Sequence, residues 1–380
     1  MSPPSPCPIC GQSAPVALRR SRVPVFVNVT YATREEARRA AQGEMEMRLC
    51  PQCTTLFNAA HDARLLAFGA EYDNAQIHSP RYMAHMEEGT ERVLRLIEDI
   101  EAPTIVDIGC GQGDFLRMLA GKLKRPARLM GFDPALRIGS ADRRDVDAGP
   151  VSIELHPRLF QPADAPDGAA FLMRAVFGYF TDPAPFLAAL RRKGSRLAIE
   201  TSSLEWIVAD DVVADLYYEY FCYYTSAALA KVLAATGWGG IEIAPTFGGQ
   251  YLWAGARSDR PAEPVAAAPV RVPDDAAVRA RILDRLIQAR SRGPIAIWGA
   301  AGKGLNLLPM IDPDAQLVDC VIDINPAKHG AFTPVTAHPI VSPAEAISRG
   351  VQAAYVVNPI YRQEIARLVA ELGGAMELLS

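Results

Sequence analysis

The chain has 380 residues, of which 49% are hydrophobic and 22% are charged, and its formal net charge is −4. This is the composition of an ordinary globular protein with room for two or three domains, and the weak negative charge excludes a general electrostatic affinity for nucleic acid or for an anionic membrane. No apolar run approaches about 18 residues, and residues 1–6 lack the basic start and apolar core of a signal peptide, so a cytoplasmic protein without a membrane span is expected.

Two cysteine pairs stand near the start of the chain, Cys7 with Cys10 and Cys50 with Cys53. In a reducing cytoplasm such CxxC pairs are metal ligands more often than disulfides, and four thiolates suit tetrahedral Zn²⁺. The sequence therefore predicts a zinc-binding module over residues 1–60, the alternative being two unrelated pairs without a metal. A closed four-sulfur site is expected to stabilise the fold rather than to perform catalysis.

The 39 residues between the two pairs are more than a small zinc ribbon requires. Thr33 and Glu36 have the spacing of a capping box, which predicts a short polar helix that ends at Gly43. After the module, apolar residues at helical spacing predict a mainly helical connector over residues 61–100.

Strands and helices then alternate, which predicts a central α/β domain over residues 101–258 with a doubly wound, Rossmann-like parallel sheet. The predicted elements are strands at 104–108, 128–132, 171–176 and 196–200 and a helix at 115–123.

The turn after the first of these strands has the pattern of an S-adenosylmethionine (SAM) site. Three glycines allow the backbone to approach the cofactor without a Cβ clash: Gly109, Gly111 and Gly113. Asp107 suits a role in orienting the turn or binding the methionyl ammonium, and Asp133, at the end of the second strand, suits both ribose hydroxyls. Adenine contacts are expected near Phe160 and Arg174. The alternative is a Rossmann unit that binds NAD or no cofactor.

A Pro- and Ala-rich linker is predicted over residues 259–275, followed by a second Rossmann-like domain over 276–380. Its first strand leads into a glycine turn at residues 299–304. This turn is not a Walker loop, because no Ser or Thr follows Lys303 and the glycine spacing differs. With Lys303 at a helix N-terminus it could bind a phosphate, and a purely structural turn is an equal alternative.

Four stretches resemble the SAM-dependent sugar C-methyltransferase family over almost the whole chain. They are the two CxxC pairs, residues 107–113, residues 215–224, and a C-terminal group at 248–251, 299–304, 323–328 and 338–340. The resemblance implies a zinc module, a SAM domain, a Rossmann-like C-terminal domain, and C-methylation of a nucleotide-linked keto-deoxysugar that lies between the last two domains.

The resemblance also implies the catalytic residues. The family's Tyr-x-Glu-His segment reads Tyr217 to Tyr220 here, so Tyr217 and Glu219 match and Tyr220 replaces a histidine. Tyr179 stands where the family has a second histidine. A tyrosine has a pKa of about 10 and is a poor base at neutral pH. The base is therefore Glu219 alone or a phenolate of lowered pKa, unless the substrate proton is already acidic.

The remaining candidates follow from their place in the resemblance. His78 lies where a family segment reaches the active site and could supply an imidazole. Tyr223, Lys303 and Asp323 are candidates for substrate contact. The two tyrosine replacements leave O- or N-methylation of another small metabolite as an alternative. A SAM-binding adaptor that uses its zinc module to bind a partner is a second alternative.

Overall fold

The computed structural model describes residues 5–69, 71–73, 75–137, 150–262 and 268–380. Residues 263–267 of the predicted linker lie outside the described residues. Three sheets of four, seven and five strands, with a small two-stranded sheet at the front, organise the chain.

The front of the chain forms β-structure around the two cysteine pairs. Its elements are β1 (Ser5–Pro6), β2 (Ser13–Ala14), β3 (Val16–Pro24), α1 (Arg34–Arg38), β4 (Gln42–Leu49) and β5 (Leu56–Asn58). Strands β3, β4 and β5 pair antiparallel, and the fourth strand of this sheet, Cys222–Tyr223, comes from the middle of the chain. The front sheet is therefore completed by a later part of the sequence.

The capping box is confirmed, but the predicted end of its helix is wrong. The Thr33 side chain accepts a hydrogen bond from the Glu36 amide, and the Glu36 carboxylate accepts one from the Thr33 amide. Helix α1 ends at Arg38, and Gly43 lies in β4, paired with Val23. The strand pairing has overridden the local helix signal.

The prediction of a mainly helical connector is only half right. Helix α2 spans Pro80–Leu96. Residues 61–79 carry one 3₁₀ turn, and their described part is otherwise irregular. This irregular segment contacts both cavities described below.

The central sheet has seven strands, in the order β12-β13-β10-β9-β6-β7-β8, with β13 antiparallel to its neighbours. This part of the chain contains β6 (Thr104–Ile108), α3 (Asp114–Lys122), β7 (Ala127–Phe132), β8 (Val151–His156), β9 (Ala170–Arg174), α4 (Pro183–Leu190), β10 (Arg196–Ser202), α5 (Leu204–Ala209), α6 (Ser226–Ala235), β12 (Gly239–Thr246) and β13 (Tyr251–Arg257), together with β11 (Cys222–Tyr223), which is the strand that joins the front sheet. Both faces of this sheet are covered. Ile105 packs with Val93 and Leu116 on one face, whereas Val106 packs with Leu187 and Leu229 on the other.

The C-terminal sheet is fully parallel, in the order β16-β15-β14-β17-β18. Its elements are α7 (Asp275–Arg290), β14 (Ile295–Trp298), α8 (Gly302–Ile311), β15 (Cys320–Ile322), β16 (Ile340–Val341), α9 (Pro343–Ser348), β17 (Ala353–Val356), α10 (Arg362–Glu371) and β18 (Glu377–Leu379). The predicted α/β class, with two doubly wound Rossmann-like sheets, is confirmed. Among the helices that the structure describes, none is long and apolar enough to cross a membrane.

Candidate active site

The four predicted zinc ligands come together. The sulfur atoms of Cys7, Cys10, Cys50 and Cys53 all lie within 4.8 Å of one another. Cys7 Sγ is 3.4 Å from Cys53 Sγ, and Cys10 Sγ is 3.5 Å from Cys50 Sγ. These separations exceed an S–S bond of about 2 Å and are close to the edge of roughly 3.8 Å expected for a tetrahedron of Zn–S bonds of about 2.3 Å. The cluster therefore fits a closed zinc site.

The predicted SAM turn lies at the carboxyl end of β6 and opens α3. Gly109 has a φ of +77°, and a Cβ there would lie 2.3 Å from Val176 Cγ1, so both the conformation and the space require glycine. Asp133 is fixed by two backbone amides: Gly111 N donates to its Oδ2 at 2.9 Å, and Ala135 N donates to its Oδ1 at 2.8 Å. Each carboxylate oxygen keeps a further acceptor position, which fits a ribose diol.

A cavity extends from this turn in two directions. On the β7 and β8 side it is lined by Asp133, Ala135 and Phe160. On the β9 and β10 side it is lined by Asp107, Arg174 and Glu200. The expectation of adenine contacts thus fits the region of Phe160, whereas Arg174 lies on the opposite side of β6.

Asp107 and Arg174 form a buried polar pair of opposite charge at that second end. Asp107 is only 2% exposed, and among the described residues its Oδ1 has no hydrogen-bond partner. Burial raises the pKa of Asp107 to about 7, and the nearby Arg174 guanidinium lowers it. The Arg174 guanidinium donates to Glu200 Oε1 at 3.0 Å, while its Nε finds no acceptor in the described part of the chain. Asp107 Oδ1 can accept from an ammonium group, and Arg174 Nε can donate to a carboxylate. The two together fit the amino-acid end of SAM.

A second cavity lies between the central and C-terminal sheets. Residues of the central part line one wall, among them Ser202, Glu219 and Tyr220, and residues of the C-terminal part line the other, among them Trp298 and Asn358. The two cavities share four lining residues: Ala75, Gln76, Ala175 and Tyr179. Tyr179 therefore stands where the two cavities meet.

Glu219 is the centre of a hydrogen-bond network at this junction. It is 1% exposed; its Oε1 accepts from Val27 N at 2.6 Å, and its Oε2 accepts from Tyr72 Oη at 2.9 Å and from Tyr179 Oη at 3.0 Å. The two phenol oxygens lie 3.0 Å apart, and Asn28 Nδ2 donates to Tyr72 Oη at 2.9 Å. Every partner of this carboxylate among the described residues is a donor, which stabilises its ionised form and leaves one acceptor position on Oε1.

The pKa values of the groups in this network indicate that the carboxylate is the base and that the phenols are hydrogen-bond donors. Burial raises the pKa of Glu219 to about 7, although the hydrogen bonds from Val27, Tyr72 and Tyr179 lower it. Burial also raises the pKa of Tyr72, Tyr179 and Tyr220 above the ordinary tyrosine value, and the Glu219 charge adds to this. The phenols stay protonated at neutral pH, which argues against the alternative of a phenolate base.

The tyrosine-rich run at residues 217–224 divides between cavity and core. Tyr220 lines the cavity, donates to Ala175 O at 2.9 Å, and sets its ring edge-on to Tyr179 with centroids 4.7 Å apart. Tyr217 also lines the cavity, and its hydroxyl donates to Asp215. Tyr223, an expected substrate contact, is instead fully buried in the core, where its hydroxyl accepts from Tyr217 N.

Sequence reasoning missed the contribution of the front module to this site. Val27 N binds Glu219, and Val27 O accepts from Gly302 N at 2.7 Å in the C-terminal turn. Asn28 O accepts from Asp73 N at 2.9 Å, next to Tyr72. The long spacing between the cysteine pairs was the available signal, because it leaves chain enough to cross from the zinc cluster to the cavity.

One domain of this chain has a match to a known family. Residues 274–375 match the family model of the C-methyltransferase C-terminal domain. No curated protein matches the sequence.

Among solved structures, the chain is similar over less than half of its length to several proteins at low identity. The pyocyanin biosynthetic protein PhzM is 17% identical, with 44% of this chain and 54% of that chain covered and a TM-score of 0.33. Human N-acetylserotonin methyltransferase, solved with SAM, is 14% identical, with 46% of this chain and 54% of that chain covered and a TM-score of 0.34. A methyltransferase-like protein of Bacillus halodurans is 13% identical, with 44% of this chain and 99% of that chain covered and a TM-score of 0.31. The chain thus spans about half the length of the first two.

Within the segment that matches this family model, the two substrate candidates differ in their contacts. Lys303 is 6% exposed, and its Nζ lies 3.0 Å from Asp215 Oδ1, so a buried ion pair links α8 to the central part of the chain. Asp323 accepts from Ala300 N at 2.7 Å and from Asn325 N at 2.8 Å. Both residues line the second cavity.

His78 also lines the second cavity, but its side chain is exposed. It is not among the described hydrogen-bond partners of Glu219 or Tyr179. The structure thus brings His78 to the second cavity without placing it in the Glu219 network.

Proposed function

We propose that this protein is a SAM-dependent methyltransferase that methylates a carbon atom of a nucleotide-linked keto-deoxysugar. One observation carries the proposal: Tyr179 lines both the SAM cavity and the cavity between the domains, and it donates to the buried carboxylate of Glu219. A donor and a base are thus paired where the two cavities meet. The resemblance of the sequence supports the class of substrate, and the match of residues 274–375 supports transfer to carbon.

Residues of the first cavity would bind SAM, and residues of the second cavity would act on the substrate. Asp133 would bind the ribose of SAM, Asp107 its ammonium and Arg174 its carboxylate; bound SAM supplies an electrophilic methyl group. Glu219 would take the proton from the carbon next to the substrate ketone, so that the C–H electron pair moves into the enolate. Once protonated, Glu219 would no longer hold the Tyr179 hydroxyl proton, so Tyr179 would donate to the enolate oxygen, and the enolate carbon would take the methyl group. A pKa near 7 suits a base that works at neutral pH.

Proton exchange tests this proposal without methyl transfer. A panel of nucleotide-linked keto-deoxysugars would be incubated in D₂O with the enzyme and S-adenosylhomocysteine, and deuterium at the carbon next to the ketone would be followed by NMR. C-methylation requires enzyme-dependent exchange there. A turnover product methylated on oxygen or nitrogen, with no exchange, would replace the proposal by the O- or N-methyltransferase alternative.

We expect the pH profile to report the raised pKa of Glu219. The carboxylate form is the base, so kcat/KM rises with pH through about 7 and levels off above it. The groups that face this carboxylate are the phenols of Tyr72, Tyr179 and Tyr220, which stay neutral over this range because their pKa values are raised. Initial rates between about pH 5.5 and 9 measure the profile; a plateau already reached near pH 5.5 would mean that Glu219 titrates as an ordinary carboxyl group.

We expect Arg174 and Asp133 to recognise different parts of the cofactor. Arg174→Lys keeps a charge opposite Glu200 but loses the planar guanidinium, so S-adenosylhomocysteine should bind roughly tenfold more weakly. Methylthioadenosine, which lacks the amino-acid end, should bind as before. Asp133→Ala should weaken both ligands by roughly 10- to 100-fold. Calorimetry measures all four affinities, and an equal loss of both ligands in Arg174→Lys would remove Arg174 from the carboxylate role.

A further inference from the structure

A buried histidine lies behind the end of the first cavity that Asp107 and Arg174 line. His85 belongs to the buried face of α2, together with Met86 and Val93, which pack against the central sheet. It is 3% exposed and is not among the described residues that line either cavity. Burying a polar ring among apolar side chains costs free energy unless the ring gains a polar contact. The contacts of His85 therefore indicate its role.

The polar contact of His85 is with Glu200 of β10. His85 Nε2 lies 2.9 Å from Glu200 Oε2, and both side chains are 3% exposed. The contact is at ion-pair distance but is not aligned as a hydrogen bond. An unprotonated ring nitrogen would place its lone pair against a carboxylate oxygen, so Nε2 carries a proton. Because His85 Nδ1 has no hydrogen-bond partner in the described part of the chain, the ring interacts with its polar surroundings through Glu200.

Glu200 connects His85 to Arg174. Its Oε1 accepts from Arg174 Nη2 at 3.0 Å, while its Oε2 faces His85 Nε2. Although burial raises the pKa of Glu200, Arg174 and His85 lower it to about 2, so the side chain is a carboxylate at neutral pH. A buried carboxylate with a positively polarised partner on each oxygen cannot turn without losing one of them. The two partners therefore fix its orientation.

The orientation of Glu200 in turn determines where the Arg174 guanidinium points. Arg174 Cζ lies 4.1 Å from the centroid of the Phe115 ring, so the guanidinium is held between this ring and Glu200. The side chain lines the first cavity, and its Nε has no acceptor among the described residues. The carboxylate by itself would offset the charge of the guanidinium. The proton on His85 opposes part of the carboxylate charge and leaves more of the Arg174 charge for an anion in the cavity.

Three aromatic side chains fix the ring of His85 in this position. Ring centroids lie 4.7 Å away for Phe247, 5.6 Å away for Tyr251 and 5.8 Å away for Tyr82. In a close-packed interior, the imidazole cannot swing away from Glu200 without displacing these rings. His85 is therefore a fixed support for the carboxylate.

We propose that His85 is a positioning residue for the cofactor: it holds Glu200, and Glu200 holds the Arg174 guanidinium toward the carboxylate of SAM. This inference rests on the proposed function for SAM as the ligand and for the role of Arg174. It adds a residue that acts on cofactor affinity without touching the cofactor. The three side chains come from α2, β10 and β9, so the support runs through the wall of the cavity into the core.

Calorimetry on the full-length protein, with S-adenosylhomocysteine and methylthioadenosine as paired ligands, tests the inference. His85→Phe keeps a ring against Phe247 and Tyr251 but has no proton for Glu200. It should bind S-adenosylhomocysteine roughly three- to tenfold more weakly and methylthioadenosine as the wild type does. His85→Gln, whose amide nitrogen can donate to Glu200, should recover most of the lost affinity. Unchanged S-adenosylhomocysteine affinity in His85→Phe, or an equal loss of both ligands, would overturn the inference.

A double-mutant cycle tests whether His85 acts through Arg174. In the Arg174→Lys protein, His85→Phe should weaken S-adenosylhomocysteine binding by less than about twofold, because the guanidinium that His85 supports is already gone. A loss as large as in the wild-type background would overturn the inference. If His85→Phe does not fold, His85→Met replaces it, because a methionine also lacks a donor and fills irregular space. A wild-type protein that binds no S-adenosylhomocysteine would overturn the proposed function itself, whereas the variants decide only the role of His85.

Discussion

Glu219→Gln is expected to lower kcat by about 10²- to 10⁴-fold, the range that a general base contributes. The amide keeps the size of the side chain and an oxygen acceptor for the phenols of Tyr72 and Tyr179, but it cannot take a proton. S-adenosylhomocysteine affinity should not change, because the carboxylate lines the cavity between the two sheets and not the cavity at the Gly109 turn, where SAM is proposed to bind. Deuterium exchange in the presence of S-adenosylhomocysteine should be lost to the same extent as turnover.

A matched control for this variant is Glu88→Gln, because Glu88 is an exposed residue of α2. Its kcat and its exchange rate should equal those of the wild type. The amide at position 219 could also disturb packing, so the melting temperatures of both variants belong to the measurement. A folded Glu219→Gln protein with wild-type turnover would show that another group removes the proton.

Cys50→Ser is expected to remove the metal and to lower the free energy of unfolding by more than about 4 kcal/mol, because a structural zinc contributes its binding energy to folding. The wild type should contain one zinc per chain by native mass spectrometry, and the variant none. Turnover should fall with stability, because β5, which follows the last cysteine, pairs with β11, and β11 comes directly after the Glu219 segment.

Cys320→Ala is the matched control for the zinc prediction. Cys320 is buried in β15, away from the four-cysteine cluster, so its loss should leave the zinc content at one per chain. Chelation should remove the zinc and lower the free energy of unfolding of the wild type, as Cys50→Ser does. It should have the same effect on the Cys320→Ala protein. A native wild-type protein that contains no zinc would contradict the structural account of the cluster.

The residues that the sequence analysis missed share one property: each acts through a contact distant in the chain. Tyr72 lies 147 residues from Glu219, and Val27 lies 192 residues from it. Both belong to segments without helix or strand periodicity, so no pattern marks which side chain faces the cavity. Tyr223 was misplaced for a related reason, because the short strand β11 is too brief for alternation to separate cavity from core.

By itself, the sequence determined what depends on neighbours along the chain. The strand-turn-helix unit with Gly109, the acid at the end of the next strand and the capping box at Thr33 are local, and the spacing of glycines, acids and apolar residues specifies them. The two CxxC pairs also predicted a metal site with four thiolate ligands. Only the tertiary structure decided that Tyr72, Tyr179 and Val27 converge on Glu219, and that Arg174 lines the same cavity as Asp107 and donates to Glu200. These relations depend on the order of the strands in the sheets and on the path of the front segment, which passes from the cysteine cluster to Glu219. The burial of Glu219 and its raised pKa follow from this arrangement and cannot be read from the residue type.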